Sequence, residues 1–311
     1  MNPDSPAEIR ALLADRGLAL KKRWGQNFLV NRGARERLVA LLDPAQGQRV
    51  WEIGPGLGSM TGLLLARTLR VVAFEVDRGL CRYLEESLGR QPSFSLVEGD
   101  FLQTWKAEMS AHGVPDLMLG NLPYSSASLM IADLIEAGVR PPRMVFTVQR
   151  ELADRMQSGP GSKSYSSFSV LCQSCFHVAG HGDLKPGSFY PVPEVVSSIV
   201  SMKPREDAPK SDELRLLSLL VRGLFSSRRK TLRNNLGSQW LETVFGSEGG
   251  LDAGREAGLE ALRGEGIDPG ARAEELSPEV FVHLARALAA AAKGLPAGEP
   301  PDAGPTGPST P

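Results

Sequence analysis

The chain has 311 residues, 41% of them hydrophobic and 23% charged, a composition that supports a sizeable core and excludes a disordered protein. Its 35 Lys and Arg nearly cancel 36 Asp and Glu, for a formal net charge of −1, which argues against a histone-like coating of nucleic acid. Three cysteines are too few for a disulfide framework and point to a reducing cytoplasm, and no run approaches the ~18 apolar residues of a membrane span. The first 20 residues carry acids early and lack an apolar stretch, so no signal peptide is read there.

In chain order, a short helix is predicted within residues 1–20, with Ile9, Leu12 and Leu13 at helical spacing. The basic stretch Lys21, Lys22, Arg23 leads through Trp24 into Gly25-Gln26-Asn27-Phe28-Leu29 and a second amphipathic helix at 34–42, closed by Asp43-Pro44. Strand-like runs follow at 49–53, 71–77, 93–100, 116–124 and 143–149. Helical patterns at 60–69, 80–88 and 128–137 separate most of them. This alternation predicts an α/β fold with a Rossmann-like, doubly wound parallel sheet. Residues 167–178 and 195–202 read as two further strands that can pair antiparallel at the sheet edge.

The pattern changes at 202–213, a polar stretch with two prolines. Beyond it, 214–225, 230–236 and 280–292 read as helix, the last introduced by Ser277-Pro278-Glu279: a capping hydroxyl, a proline at the first position and an acid in the first turn. A boundary near 205 therefore separates a domain of residues 1–205, with an N-terminal helical and basic segment at 1–45, from a smaller helical domain at 206–293. Residues 294–311, with six prolines and four glycines, read as a disordered tail. Charge divides along the chain as well. From Leu241 onward twelve acids face five bases, a balance of −7, whereas residues 1–240 carry +6. Two basic clusters lie in that first part: Lys21, Lys22, Arg23, Arg32, Arg35 and Arg37, and then Arg222, Arg228, Arg229, Lys230 and Arg233. Each is either a solvated face or a surface for a polyanion.

Glu52-Ile53-Gly54-Pro55-Gly56-Leu57-Gly58 joins a predicted strand to a helix. Glycines there let the backbone turn sharply and approach a ligand, with the helix N–H groups aimed at it. Glu75 ends the next strand, where a carboxylate can accept both ribose hydroxyls of a nucleoside, and Asp100 ends the third, placed to accept an exocyclic adenine amine. Alone, this pattern is shared with NAD enzymes. Asn121-Leu122-Pro123-Tyr124 narrows the chemistry. An aromatic amine is a poor nucleophile because its lone pair is delocalised into the ring. An Asn side-chain oxygen and a backbone carbonyl beside the proline can accept both N–H bonds and aim that lone pair at a methyl sulfonium. The neighbouring aromatic ring can stack on a base that has left its own stack. Catalysis is then mainly positioning and hydrogen-bond electrostatics, with the proton lost afterwards.

The combination of Gly25–Leu29, Glu52–Gly58, Glu75-Val76-Asp77-Arg78, Gly99-Asp100 and Gly120–Tyr124 resembles the KsgA-type small-subunit rRNA adenine dimethyltransferases. So do Phe189-Tyr190-Pro191-Val192-Pro193, the segment from Phe225 to Leu236, and Ala273–Pro278. The resemblance runs in order from about Lys21 to Lys293. It implies S-adenosyl-L-methionine as cofactor and dimethylation at N6 of two adjacent adenosines in the loop of the 3′-terminal hairpin of 16S rRNA, within an assembling small ribosomal subunit. A monomer is expected, and the lack of a long apolar run predicts no membrane partner. By the same resemblance Asn27, Leu29, Gly54, Gly56, Glu75, Asp100 and Asn121 hold the cofactor. Asn121, Leu122, Pro123 and Tyr124 act on the target, with Phe189 packing on the flipped base opposite Tyr124. With an RNA substrate, Lys22, Arg23, Arg222, Arg228, Arg229, Lys230 and Arg233 become the expected phosphate contacts. After Tyr124 the chain reads Ser-Ser-Ala-Ser where the family usually has Asn-Ile-Ser and a proline, and residues 246–266 match poorly. The rivals are a resistance-type methyltransferase of 23S rRNA, a non-catalytic assembly factor on the same fold and, third, an NAD dehydrogenase. The Asn-Leu-Pro-Tyr form, the Gly-Pro-Gly-Leu-Gly loop and the segment Arg228–Leu236 weigh against the first, intact Asn121, Pro123 and Tyr124 against the second, and the lack of an evident hydride-transfer acid/base pair against the third. Cys172, Cys175, His177 and His181 have the look of a metal cluster. In a strand, however, i and i+3 point to opposite faces and no second ligand pair is evident, so buried thiols and no metal are expected.

Overall fold

The apolar runs between glycine- and aspartate-rich turns become strands, and the amphipathic runs between them become the helices that cover the sheet. A computed structural model describes residues 1–20, 24–67, 69–236, 239–245 and 250–293. Lys21, Lys22, Arg23 and the tail expected at 294–311 therefore lie outside the described residues. The first compact unit, residues 1–214, contains α1 (Pro6–Asp15), β1 (Phe28–Leu29), α2 (Arg32–Leu42), β2 (Arg49–Ile53), α3 (Ser59–Leu65), β3 (Arg70–Glu75), α4 (Arg78–Leu88) and β4 (Phe94–Glu98). Then come α5 (Phe101–His112), β5 (Leu117–Asn121), α6 (Ala127–Glu136), β6 (Arg143–Gln149), α7 (Arg150–Gln157), α8 (Ser167–Cys175), β7 (Phe176–Leu184), β8 (Phe189–Tyr190) and β9 (Ser197–Pro204).

Among the described residues, seven strands form one sheet in the order β4-β3-β2-β5-β6-β9-β7, and β1 pairs with β8 in a separate two-stranded ribbon. The five strands β4 to β6 are parallel. β9 runs antiparallel to β6 and β7 antiparallel to β9, so this is the Rossmann-like α/β class. Side chains alternate between two cores. Trp51, Ile53, Phe74, Met118 and Phe146 face α5–α8, while Val50, Val71, Ala73, Leu119 and Val145 face α2–α4. This period of two is what strands buried on both faces require. β7, the edge strand, is mostly exposed and bulges between Gly180 and Asp183, a geometry that discourages further pairing.

Residues 167–178 are not a strand. Ser166 caps a helix through its side chain and Ser169 returns the bond, completing a capping box, so 167–175 is α8 and the strand begins only at Phe176. An apolar run buried on most sides has no period that tells helix from strand. Residues 101–112 and 150–157 form two further helices; the first is capped by the Asp100 side chain.

The division between units falls at Leu214–Arg215, inside α9 (Ser211–Phe225), whereas the sequence suggests a boundary near 205. The second unit adds α10 (Leu232–Asn235), α11 (Glu242–Phe245), α12 (Gly250–Gly264) and α13 (Pro278–Lys293). Phe225 stacks on Phe281 at 5.8 Å. Asn235 Nδ2 donates to the carbonyls of Leu224 (2.7 Å) and Ser227 (3.2 Å), closing the basic turn between α9 and α10. α12 was not expected because its glycines mask a helical period. A side chain at Gly258 would meet Leu236 at 2.8 Å, so glycine there lets α12 approach Leu236, the residue that closes α10.

Candidate active site

The chain reverses its direction of travel across the sheet between β2 and β5. The loops after these strands therefore open a crevice at their carboxyl ends, where doubly wound sheets bind ligands. Ile53 is in register with Gly120, which sets the glycine loop beside Asn121. Gly54, Gly56 and Gly58 have φ of 68°, 58° and 75°, a left-handed run that other residues adopt only at a cost. A Cβ on Gly56 would lie 2.9 Å from the Phe28 ring.

Two carboxylates stand under this loop. Glu75, at the end of β3, accepts the Asp77 N–H on Oε1 (2.9 Å) and the Gly56 N–H on Oε2 (3.3 Å). Burial outweighs both donors and pushes its carboxyl up to about 7. Glu52 is fully buried beside Thr61; burial, with the nearby Glu75 charge, outweighs the Thr61 donors and pushes it up to about 7 as well. Asp100 follows β4 and caps α5, its Oδ1 accepting the Leu102 N–H at 3.0 Å. Together with Phe101 it lines the crevice.

Asn121 is the last residue of β5. Its Nδ2 donates to the Asn27 carbonyl at 2.7 Å. A carbonyl only accepts, so this bond fixes which end of the amide faces inward, and it leaves Oδ1 buried without a partner. Asn27 is presented by the β1–β8 ribbon, in which Phe28 pairs with Tyr190. Arg35, 2% exposed, steadies that ribbon by donating to the Leu29 carbonyl at 2.7 Å while forming an ion pair with Asp4. A Cβ on Gly25 would lie 3.6 Å from Pro123. The Pro123 carbonyl accepts from the N–H groups of Ser126 (3.1 Å) and Ala127 (2.9 Å) to start α6. Because both lone pairs of the Pro123 carbonyl are engaged, the Leu122 carbonyl is the candidate acceptor beside the proline. The Tyr124 hydroxyl is hydrogen-bonded to Ser197 at 2.6 Å.

The crevice thus brings together Asn27, Gly54, Gly56, Glu75, Asp100, Asn121 and Pro123. Four expected residues are placed otherwise. Tyr124, half-buried, stands outside the crevice lining with its hydroxyl on Ser197. Leu29, 3% exposed, points into the core with Leu38 and Val39 and not into the crevice. Leu122, 1% exposed, is core, so only its backbone can act. Phe189, 1% exposed, packs among Leu29, Leu184 and Ile199 and offers no face to a base. Alternation along β8 sends Phe189 inward, and Tyr190 instead takes a hydrogen bond from Arg10 of α1 at 3.2 Å. Phe28, Phe101, Gln26 and Ser126 also line the crevice and were not singled out. Each adjoins or nearly adjoins a residue that was, but sequence alone does not tell which way its side chain turns.

On the helical unit Arg222, Arg228, Arg229, Lys230 and Arg233 are all exposed, in one stretch from the end of α9 through the turn into α10. Arg228 forms an ion pair with Glu274 at 2.7 Å. The expected contacts Lys22 and Arg23 fall outside the described residues. Cys172 and Cys175 sit at i and i+3 of α8, both buried, and burial pushes both thiols up, Cys175 to about 11. They share a helix face, not opposite strand faces, which corrects the geometry while the buried thiols remain. Among the described residues no group of three His, Cys, Asp or Glu could hold a metal, and no helix is long and apolar enough to cross a membrane.

The family described as ribosomal RNA adenine dimethylase matches residues 17–285. A ribosomal RNA small subunit methyltransferase A of Treponema denticola is 39% identical over 285 residues, 91% of this chain and 94% of the relative. The protein of the same name from Borreliella burgdorferi is 41% identical over 236 residues, 76% of this chain and 82% of its own length. Among solved structures, a dimethyladenosine transferase from Plasmodium falciparum superposes with a TM-score of 0.68 at 24% identity, covering 82% of this chain and 94% of that one. The 23S rRNA methyltransferase ErmE gives 0.59 at 23% identity, covering 84% and 99%. Those two likenesses speak to the fold.

Proposed function

Because the chain belongs to the ribosomal RNA adenine dimethylase family, we propose that it methylates adenosine N6 in 16S rRNA with S-adenosylmethionine as donor. Its targets are two adjacent adenosines in the loop of the 3′-terminal hairpin, each carried to N6,N6-dimethyladenosine within an assembling small subunit. The residues present fit the cofactor. Glycines with left-handed backbone bring bare main chain to the crevice, Glu75 offers buried acceptor oxygens, and Asp100 lines the same crevice. When bound, the cofactor supplies a methyl group on a positively charged sulfonium.

The observation that carries this reading is the orphaned Asn121 Oδ1. A buried amide oxygen without a partner costs on the order of 1–3 kcal/mol, a cost relieved when an N–H donor arrives. Adenine N6 brings two such donors. Asn121 Oδ1 and the Leu122 carbonyl accept them, draw the lone pair out of conjugation and hold it in one direction. After a first methylation one N–H remains to be held, so the same site serves the second. No strong base is needed, since the proton leaves after the new bond forms. The Tyr124 ring stacks on the extruded base, and Arg222, Arg229, Lys230 and Arg233 contact RNA phosphates.

A tritium-methyl assay on under-methylated 30S and 50S particles, with the labelled nucleoside identified, tests this. Label in dimethyladenosine of the 30S particle is expected. Label in the 50S particle would transfer the reading to 23S rRNA, and cofactor binding without label in either would indicate an assembly factor. Asn121→Ala should lower the rate by at least about 100-fold while cofactor affinity stays within about tenfold; wild-type activity would sink the role given to Asn121.

A further inference from the structure

Tyr124 reaches from its loop to a separate and firmly held element. Its hydroxyl lies 2.6 Å from the hydroxyl of Ser197, the first residue of β9. Ser197 is fully buried and paired with Gln149 of β6 on one side and Leu184 of β7 on the other. The neighbouring residues add further restraints. Ser198 donates to Asp183 at 2.6 Å, and the Arg150 N–H donates to the Val196 carbonyl at 3.0 Å. Tyr124, by contrast, sits between β5 and α6 with a half-buried ring, whose angle follows two side-chain torsions. An offset stack on a base is sensitive to the angle of the ring plane.

We propose that Ser197 is a positioning residue for methyl transfer. Its hydroxyl pins the Tyr124 ring at the angle at which its face receives the target adenine, and it couples the segment at 189–197 to the reacting centre. Ser197 itself touches neither base nor cofactor. The inference rests on the methyl-transfer reading above, and its test separates the two.

The test is a double-mutant cycle of Ser197→Ala and Tyr124→Phe. It is read as the single-turnover methylation rate on 30S particles and, separately, as affinity for S-adenosylmethionine. Each single variant should lose about 2- to 13-fold in rate, the value of one neutral hydrogen bond, with cofactor affinity unchanged. The double variant should lose no more than the slower single one, because both remove the same interaction. Ser197→Thr, which keeps the hydroxyl, should recover more than half of the lost rate. Each protein's unfolding midpoint shows that the comparison is made on folded chains. Additive losses, a wild-type rate in Ser197→Ala, or a matching fall in cofactor affinity would overturn the positioning role alone. A wild-type chain inactive on 30S particles would overturn the parent reading and this inference with it.

Discussion

Glu75 should make cofactor capture depend on pH. Its two oxygens already face the backbone N–H groups of Asp77 and Gly56, an arrangement suited to a carboxylate, yet burial raises the group to about 7. A neutral carboxyl must place its proton on one of those oxygens, so it loses an acceptor and turns an O–H toward an N–H. With the group near 7, the ionised fraction rises from about a tenth at pH 6 to about nine-tenths at pH 8, so affinity should tighten roughly tenfold over that interval. Calorimetric titration of S-adenosylmethionine at constant ionic strength measures it directly. Glu75→Gln should bind about 10- to 100-fold more weakly at pH 8, for loss of charge-assisted bonds, and should show no pH slope. Flat wild-type binding from pH 6 to 8 would mean that the N–H donors outweigh burial and that Glu75 is ionised throughout. A slope that survives in the Gln variant would assign the titration to another group, with Glu52 the first to examine.

Glu52 bears on stability. Its folded-state value, about 7, lies above the unfolded value, so the folded chain keeps a proton that the unfolded chain has released between about pH 4.5 and 7. Stability from this group is complete below that window and is lost as pH rises through it, by on the order of 3 kcal/mol; Glu52→Gln should flatten urea-derived stability across pH 5–8 by that amount, and an unchanged slope would refute the assignment. Gly56→Ala forces a side chain into a left-handed backbone, at about 1–2 kcal/mol, and against Phe28. Weaker cofactor binding by tenfold or more is expected, and titration of the variant checks it. Replacing Arg229, Lys230 and Arg233 with alanine should lower the salt slope of 30S binding by somewhat under one per charge removed, leaving cofactor affinity unchanged; an unaltered slope would remove these residues from the RNA face.

By itself the sequence determined most of the alternation of strands and helices, because strand and helix periods are local properties of the chain, but it did not announce the helices at 101–112, 150–157, 167–175 and 250–264. It determined the glycine loop as well, since the left-handed turns at Gly54, Gly56 and Gly58 need glycine wherever they occur. It also marked Glu75, Asp100 and Asn121, because residues that end parallel strands fall at one rim of the sheet whatever surrounds them. Only the tertiary structure decided which neighbours of these residues face the crevice. Phe28 turns toward the glycine loop while Leu29 and Phe189 turn into the core, an outcome set by how β1 pairs with β8, residues 160 positions apart. The same holds for Ser197 and Tyr124, and for Asn121, whose amide takes its direction from a carbonyl 94 residues earlier. Long-range pairing, burial and the identity of a hydrogen-bond partner are properties of packed surfaces, and no local pattern encodes them.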